Sequence, residues 1–321
     1  MSRDEAQGVL AQQLGRERSY FRLSMARLMR KKVALVCISV IVVMYGSGVL
    51  APLVAPYGYN EQNLAAVKER PSWSHPFGTD RVGRDILTRI IFGLRTTVIV
   101  TVTAMLGGSL LLGVSLGMAA GYFGKLIDAF IMRAGEVTSA FPDILLVLII
   151  VATLKPRILD WVRDLENSLD IDIIQLGIVD YAVISLALAA FSWFGMARLV
   201  RAQVLQAREN QYVEAARAIG NSTPRILIAH VLPNIIGPVI VVVSAGLATF
   251  AGSEIFLSWL GIGIQPPTPS LGVMIFENGN ISVLRSNPHL LLFPVGTLAV
   301  LLFTFNLLGD AVNDAFNPRT R

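Results

Sequence analysis

The chain has a single cysteine, Cys37, in 321 residues, so no disulfide can form within it and a thiolate metal cluster has no ligand set. Charge is scarce too: Asp, Glu, Lys and Arg make up 15% of the residues, against about a quarter in an ordinary soluble domain. The three histidines, His75, His230 and His289, are far apart, and no His-Glu-x-x-His string removes one of them from ordinary use as a zinc-protease ligand. No Gly-x-x-x-x-Gly-Lys-Ser/Thr loop occurs, so the sequence offers no cradle for the phosphates of ATP. An excess of +5 is too small and too spread out to suggest nucleic-acid binding.

What the chain has instead is apolar length. Hydrophobic residues make up 54% of it, and six runs approach or exceed the ~20 residues that cross a bilayer: roughly 33–55, 96–121, 134–154, 180–200, 235–261 and 289–309. The first run is longer than the apolar core of a signal peptide and shows no small-residue cleavage site, so it reads as a retained span. The expected fold is therefore all-α, a bundle of six membrane helices, because lipid leaves backbone groups no other partners short of a closed barrel. With the N-terminus inside, 17 of the 27 Lys and Arg fall on the cytoplasmic side. Both termini and the 198–233 segment are then cytoplasmic.

That segment is the most informative part of the sequence. Residues 209–234 are a polar island between two apolar runs, with helix punctuation of their own. Tyr212–Ile219 reads as a short helix ended by Gly220, suited to the left-handed turn after a helix. Thr223 offers an N-cap and Pro224 a first helical residue, and a second helix runs to about Leu232, where Pro233 stops it. A membrane protein has reason to fold such an element between spans where something docks on it.

The string Glu214-Ala215-Ala216, with Gly220 beyond it and Leu232-Pro233 at its end, resembles the EAA loop of bacterial ABC importer permeases. The resemblance implies a cytoplasmic loop seated in a groove of an ATP-hydrolysing subunit. Glu214 would anchor it by polar contact, Ala215 and Ala216 would let the partner helix approach, and Gly220 would set the angle before Pro233 closes the element. His75-Pro76-Phe77-Gly78-Thr79-Asp80-Arg81-Val82-Gly83-Arg84-Asp85, Ala140-Phe141-Pro142 and Phe305-Asn306-Leu307-Leu308-Gly309-Asp310 narrow the likeness to the C-type permease of the dipeptide, oligopeptide and nickel group. Its implications are a homologous B-type permease as partner, two ATP-binding subunits that carry ATP and Mg, a substrate-binding protein outside, and no cofactor on this chain. The location implied is the inner membrane of a bacterial or archaeal cell. The organisation expected is a basic segment 1–32, a first span with its external segment 33–95, a transmembrane core 96–310 containing the coupling loop 201–233, and a tail 311–321.

Other features are weighed by their chemistry. In the external segment Thr79 or Asp80 could cap a short helix, and His75, Asp80 and Asp85 are poor metal candidates because arginines interleave them. Gly113, Gly117 and Gly121, four residues apart, mark a helix face for close packing. Acids between 155 and 179 read as a solvated external loop, without the spacing of a calcium loop. Ser253-Glu254 lies within an apolar run. An acid there faces a cavity or the bundle interior, which makes the pair a candidate for the translocation pathway; a position near the outer interface, held by a polar neighbour, is the alternative. A stand-alone transporter driven by an ion gradient is the competing function, but it calls for inverted repeats that the sequence does not show.

Overall fold

The computed structural model describes residues 21–169, 174 and 177–316. Among these residues there is no β-strand, only an isolated bridge between Thr79 and Asp85. After a helical stretch at 21–30, the helices in chain order are α1 (Lys32–Val49), α2 (Ile86–Phe123), α3 (Lys125–Ser139), α4 (Asp143–Leu169) and α5 (Ile178–Ala207). They continue as α6 (Gln211–Ala218), α7 (Thr223–Trp259), α8 (Leu271–Asn278), α9 (Ile281–Ser286) and α10 (His289–Phe316).

By length and composition α1, α2, α5, α7 and α10 can each cross a membrane, and α3 with α4 makes a sixth candidate broken by an 83° bend. The bend falls at Ala140-Phe141-Pro142. Pro142 has no N–H to continue the ladder of α3, and the chain restarts with Leu145 N donating to Pro142 O. The third span thus begins at Asp143, while α3 packs along the ends of α2 and α5, tied there by Arg201 to Asp128.

Three sequence expectations change. The second span starts ten residues early: Asp85 caps it by accepting from Thr88 N at 2.7 Å, so neither Thr79 nor Asp80 is the cap, and a boundary at 95 falls inside α2. Residues 155–169 are not a loop. α4 continues through Pro156, because Ile158, Leu159 and Val162 recur at helical spacing and pack on α5. Lys155, the residue expected to open the loop, points inward to Asp180 at 2.9 Å and Gly263 O at 2.6 Å. Asp170 and Asp172 lie outside the described residues. Pro233, finally, does not end a helix, for the reason given in the next subsection.

The glycine face of α2 does what its spacing implies. Gly113, Gly117 and Gly121 meet Met196, Ala197 and Val204 of α5 in turn, along a stretch where α2 widens into π-turns over Met105–Val114. A Cβ at Gly117 would lie 2.6 Å from Ala197 O and 2.7 Å from Val200 Cβ. Overpacking of this kind costs about 1–3 kcal/mol. Gly117→Val is therefore expected to reduce the monodisperse protein recovered by size-exclusion chromatography in detergent roughly tenfold, with Gly117→Ala falling between. Full recovery of the valine variant would show that α2 and α5 can part without loss. The same stretch contains Gly113-Val114-Ser115-Leu116-Gly117, the spacing of a serine-hydrolase elbow. Here it is uninterrupted helix, with Ser115 Oγ bonded back to the Leu111 and Leu112 carbonyls, and the sharp strand–turn–helix that exposes a nucleophile is missing.

Candidate functional site

The polar island folds as a helix, a tight turn and the entry to a long helix. α6 ends in a paired closure: Asn221 N donates to Ala216 O at 3.1 Å and Gly220 N to Arg217 O at 2.9 Å. Gly220 has φ +84°, the left-handed region that the sequence anticipated. Ser222, not Thr223, occupies the N-cap position of α7, and its side chain makes no capping bond. The backbone then opens into a π-turn over Leu227–Val231, with Leu232 N donating to Leu227 O. This wider turn is the physical reason Pro233 is tolerated: it lets the ladder run on past a residue that can neither donate nor fit a regular turn.

The faces of α6 correct one expectation. Ala215 and Ala216 are fully buried against this chain itself, in a cluster with Val204, Ile226 and Val231, and do not face outward. Their small size sets how closely α6 lies on α5 and α7. The outward face carries Gln211, Glu214, Arg217 and Ala218. Arg217 is held at 5.2 Å over the Tyr122 ring and donates to its hydroxyl at 3.3 Å, while Arg208 donates to Gly121 O. Glu214 has no ion-pair or hydrogen-bonding partner for its side chain among the described residues.

An open cleft of about 390 Å³ lies between α2, α4, α5 and α7, with the end of α3 at its rim. Ser253 borders it together with Thr249 and Gly246 from the same helix. Glu254, one residue and about 100° further round α7, does not. Its carboxylate is fully buried and accepts from Thr97 Oγ1 at 2.9 Å, Ser258 Oγ at 3.0 Å and Ser270 Oγ at 3.0 Å. Ser270 also caps α8 through Gly272 N, so one carboxylate ties α2, α7 and α8 together. The structure thus separates the two pathway candidates.

The segment before α2 is a second built centre. Asp80 accepts from Val82 N, Arg84 N, Arg84 Nε and Arg89 Nη1, the last two at 2.7 Å. Burial alone would raise its pKa, but Arg89, those two amides and Arg84 outweigh it and hold the carboxyl below its ordinary value. Glu277 of α8 completes the network, accepting from Arg81 Nη2 at 3.0 Å and lying 3.5 Å from Arg89 Nη1. His75 Nδ1 lies 3.0 Å from Asp85 Oδ1. The carboxylates of this string are therefore engaged by side chains of the protein. Sequence reading missed the Glu277 and Lys155–Asp180 contributions, since each partner lies far away in the chain.

A multi-span helix bundle with a built helix–turn–helix between two spans and an open, polar-lined cleft has the form of a membrane transport subunit. Comparison with known proteins makes this specific. Residues 113–321 match the family model described as binding-protein-dependent transport system inner membrane component, and residues 19–71 match that of the N-terminal TM domain of oligopeptide transport permease C. The dipeptide transport system permease protein DppC of Alkalihalophilus pseudofirmus is 35% identical over 94% of this chain and 91% of its own. The oligopeptide transport system permease protein OppC is 32% identical in Bacillus subtilis, over 94% of this chain and 91% of that one, and 33% identical in Escherichia coli, over 95% and 93%. The chain belongs to the binding-protein-dependent permease family and is a membrane permease component of an ABC importer.

Proposed function

We propose that this chain is the C-type permease of an ATP-driven importer of short peptides, di- or oligopeptides, paired with a homologous B-type permease. Two partner subunits bind and hydrolyse ATP with Mg, and an extracytoplasmic binding protein delivers the substrate; this chain binds no nucleotide and no cofactor of its own. Both termini and α6 lie on the cytoplasmic side of a bacterial or archaeal cell membrane. The observation that carries the reading is α6 itself: its inner face is locked by Ala215 and Ala216 into α5 and α7, and its outer face leaves Glu214 unpartnered. A push on Glu214 is then transmitted through the Gly220 turn into α7 and along it past Pro233. Along α7 sits Ser253, which lines the cavity that serves as this chain's half of the pathway. Glu254 acts beside that pathway by fastening α8 to the outer end of α7.

The test is reconstitution in liposomes with the second permease, the ATPases and the binding protein. Peptide-stimulated ATP hydrolysis that needs all the subunits supports the proposal. Gradient-driven uptake by this chain alone overturns it. The cavity has its own test, because Gly195 borders it and a Cβ there would meet only open space. Gly195→Leu narrows the cleft from a position where its Cβ meets nothing, so uptake is expected to fall at least about tenfold while recovery of the assembled complex is unchanged. Uptake at the normal rate would take this cavity off the pathway.

A further inference from the structure

The cavity among α2, α4, α5 and α7 is rimmed by the hydroxyls of Ser109, Ser139, Ser192, Thr249 and Ser253. Its lining includes two charged side chains of opposite sign, Asp143 at the start of α4 and Arg198 on α5. They do not pair with each other, and neither forms an ion pair with another described residue. Arg198 is exposed and rests 5.5 Å from the centroid of the Phe194 ring, which places its guanidinium without neutralising it. Both lie towards the same end of the bundle, at the start of α4 and in the last turns of α5, where an unpaired charge turns towards water or towards what passes through it. The cavity extends along α7 from Val242 to Ser253, about 16 Å at 1.5 Å per residue, and a fully extended tripeptide spans at most roughly 11 Å.

We propose that Arg198 and Asp143 are a permeant subsite for a zwitterionic short peptide, Arg198 taking the carboxylate and Asp143 the ammonium group. This rests on the importer reading and specifies its substrate class at this chain. The hydroxyls on α2, α5 and α7 serve the peptide bonds between the two charges. Both charged groups are solvent-accessible, so their grip is weak, as passage requires: a subsite in a pathway must bind well enough to admit a permeant and poorly enough to release it.

The experiment is ATP-driven uptake of labelled trialanine by the complete reconstituted complex, with the binding protein saturating. For Arg198→Gln and for Asp143→Asn the maximal uptake rate is expected to fall about five- to tenfold, while binding-protein-stimulated ATP hydrolysis stays within about twofold of normal. Arg198→Lys restores most of the rate, because the subsite needs the charge more than the fork of the guanidinium. Normal uptake in both neutral variants overturns the proposal. So does an equal fall in uptake and hydrolysis, which would place the residues in coupling instead. If the unaltered complex takes up no trialanine with ATP, the peptide-importer reading fails and the subsite falls with it.

Discussion

Glu214→Lys is expected to bring peptide-stimulated ATP hydrolysis of the assembled complex down to its unstimulated rate and to abolish uptake, with this chain still inserted and paired with the second permease. The side chain is exposed and unpartnered within the chain, so no internal contact is lost. Arg217, three residues on and on the same outward face, is engaged by Tyr122 and not by the carboxylate. On the proposed reading, the partner groove that covers α6 supplies the cation. Removing one member of a desolvated charge pair at an interface costs about 2–5 kcal/mol, and the lower figure is already roughly thirtyfold in the docking constant. Reversal adds repulsion to the loss. The measurement is ATPase retention on the purified permease pair together with stimulated hydrolysis in liposomes. Normal retention and normal stimulation would remove Glu214 from the coupling contact.

The alanines cannot serve the same test, although their motif places them beside Glu214. Ala216 is fully buried in the chain's own core, so a larger side chain there disturbs α5 and α7 before any partner is involved. This shows what was legible in the sequence and what was not. Helix punctuation is local chemistry: a glycine just past a helical run needs only its own φ, and Gly220 adopts it. The glycine ladder of α2 is local as well, because four-residue spacing fixes a face whatever the partner helix is. Which face of α6 turns inward depends on α5 and α7, and no short-range pattern supplies that. Pro233 reads as a breaker because proline is costly in a regular turn, yet a π-turn absorbs it, and the acids after 155 read as a loop although packing by Ile158, Leu159 and Val162 carries α4 on through Pro156. For Glu254, the sequence left open a cavity or interior position and one near the outer interface held by a polar neighbour; Ser258 is one turn away on the same helix, but Thr97 and Ser270 come from other parts of the chain.

Asp80→Ala is expected to be the most damaging single change to the fold itself. Arg89 is almost fully buried, at 1% exposure, and Arg84 is buried beside it. Removing Asp80 leaves Glu277 as their remaining acid, at 3.5 Å from Arg89 and 3.9 Å from Arg84. An uncompensated charge of this kind costs about 3–5 kcal/mol, and the amides of Val82 and Arg84 lose their acceptor in addition. The link between the segment preceding α2 and α8 should loosen, with the temperature of half-inactivation in detergent falling by roughly 10 °C. Adding Arg89→Met should recover part of the loss, because the stranded charge, and not the missing carboxylate, carries most of the penalty. The pH dependence follows from the same contacts. Asp80 titrates below its ordinary 3.8 in the folded protein, so its contribution is fully present above that value and is lost as the pH falls through the folded one. From pH 3.8 downwards, through the lower folded value, the unaltered protein should lose stability that the alanine variant has already lost, and the two melting curves should draw together. Parallel curves over that range would show that Asp80 does not hold this corner of the fold.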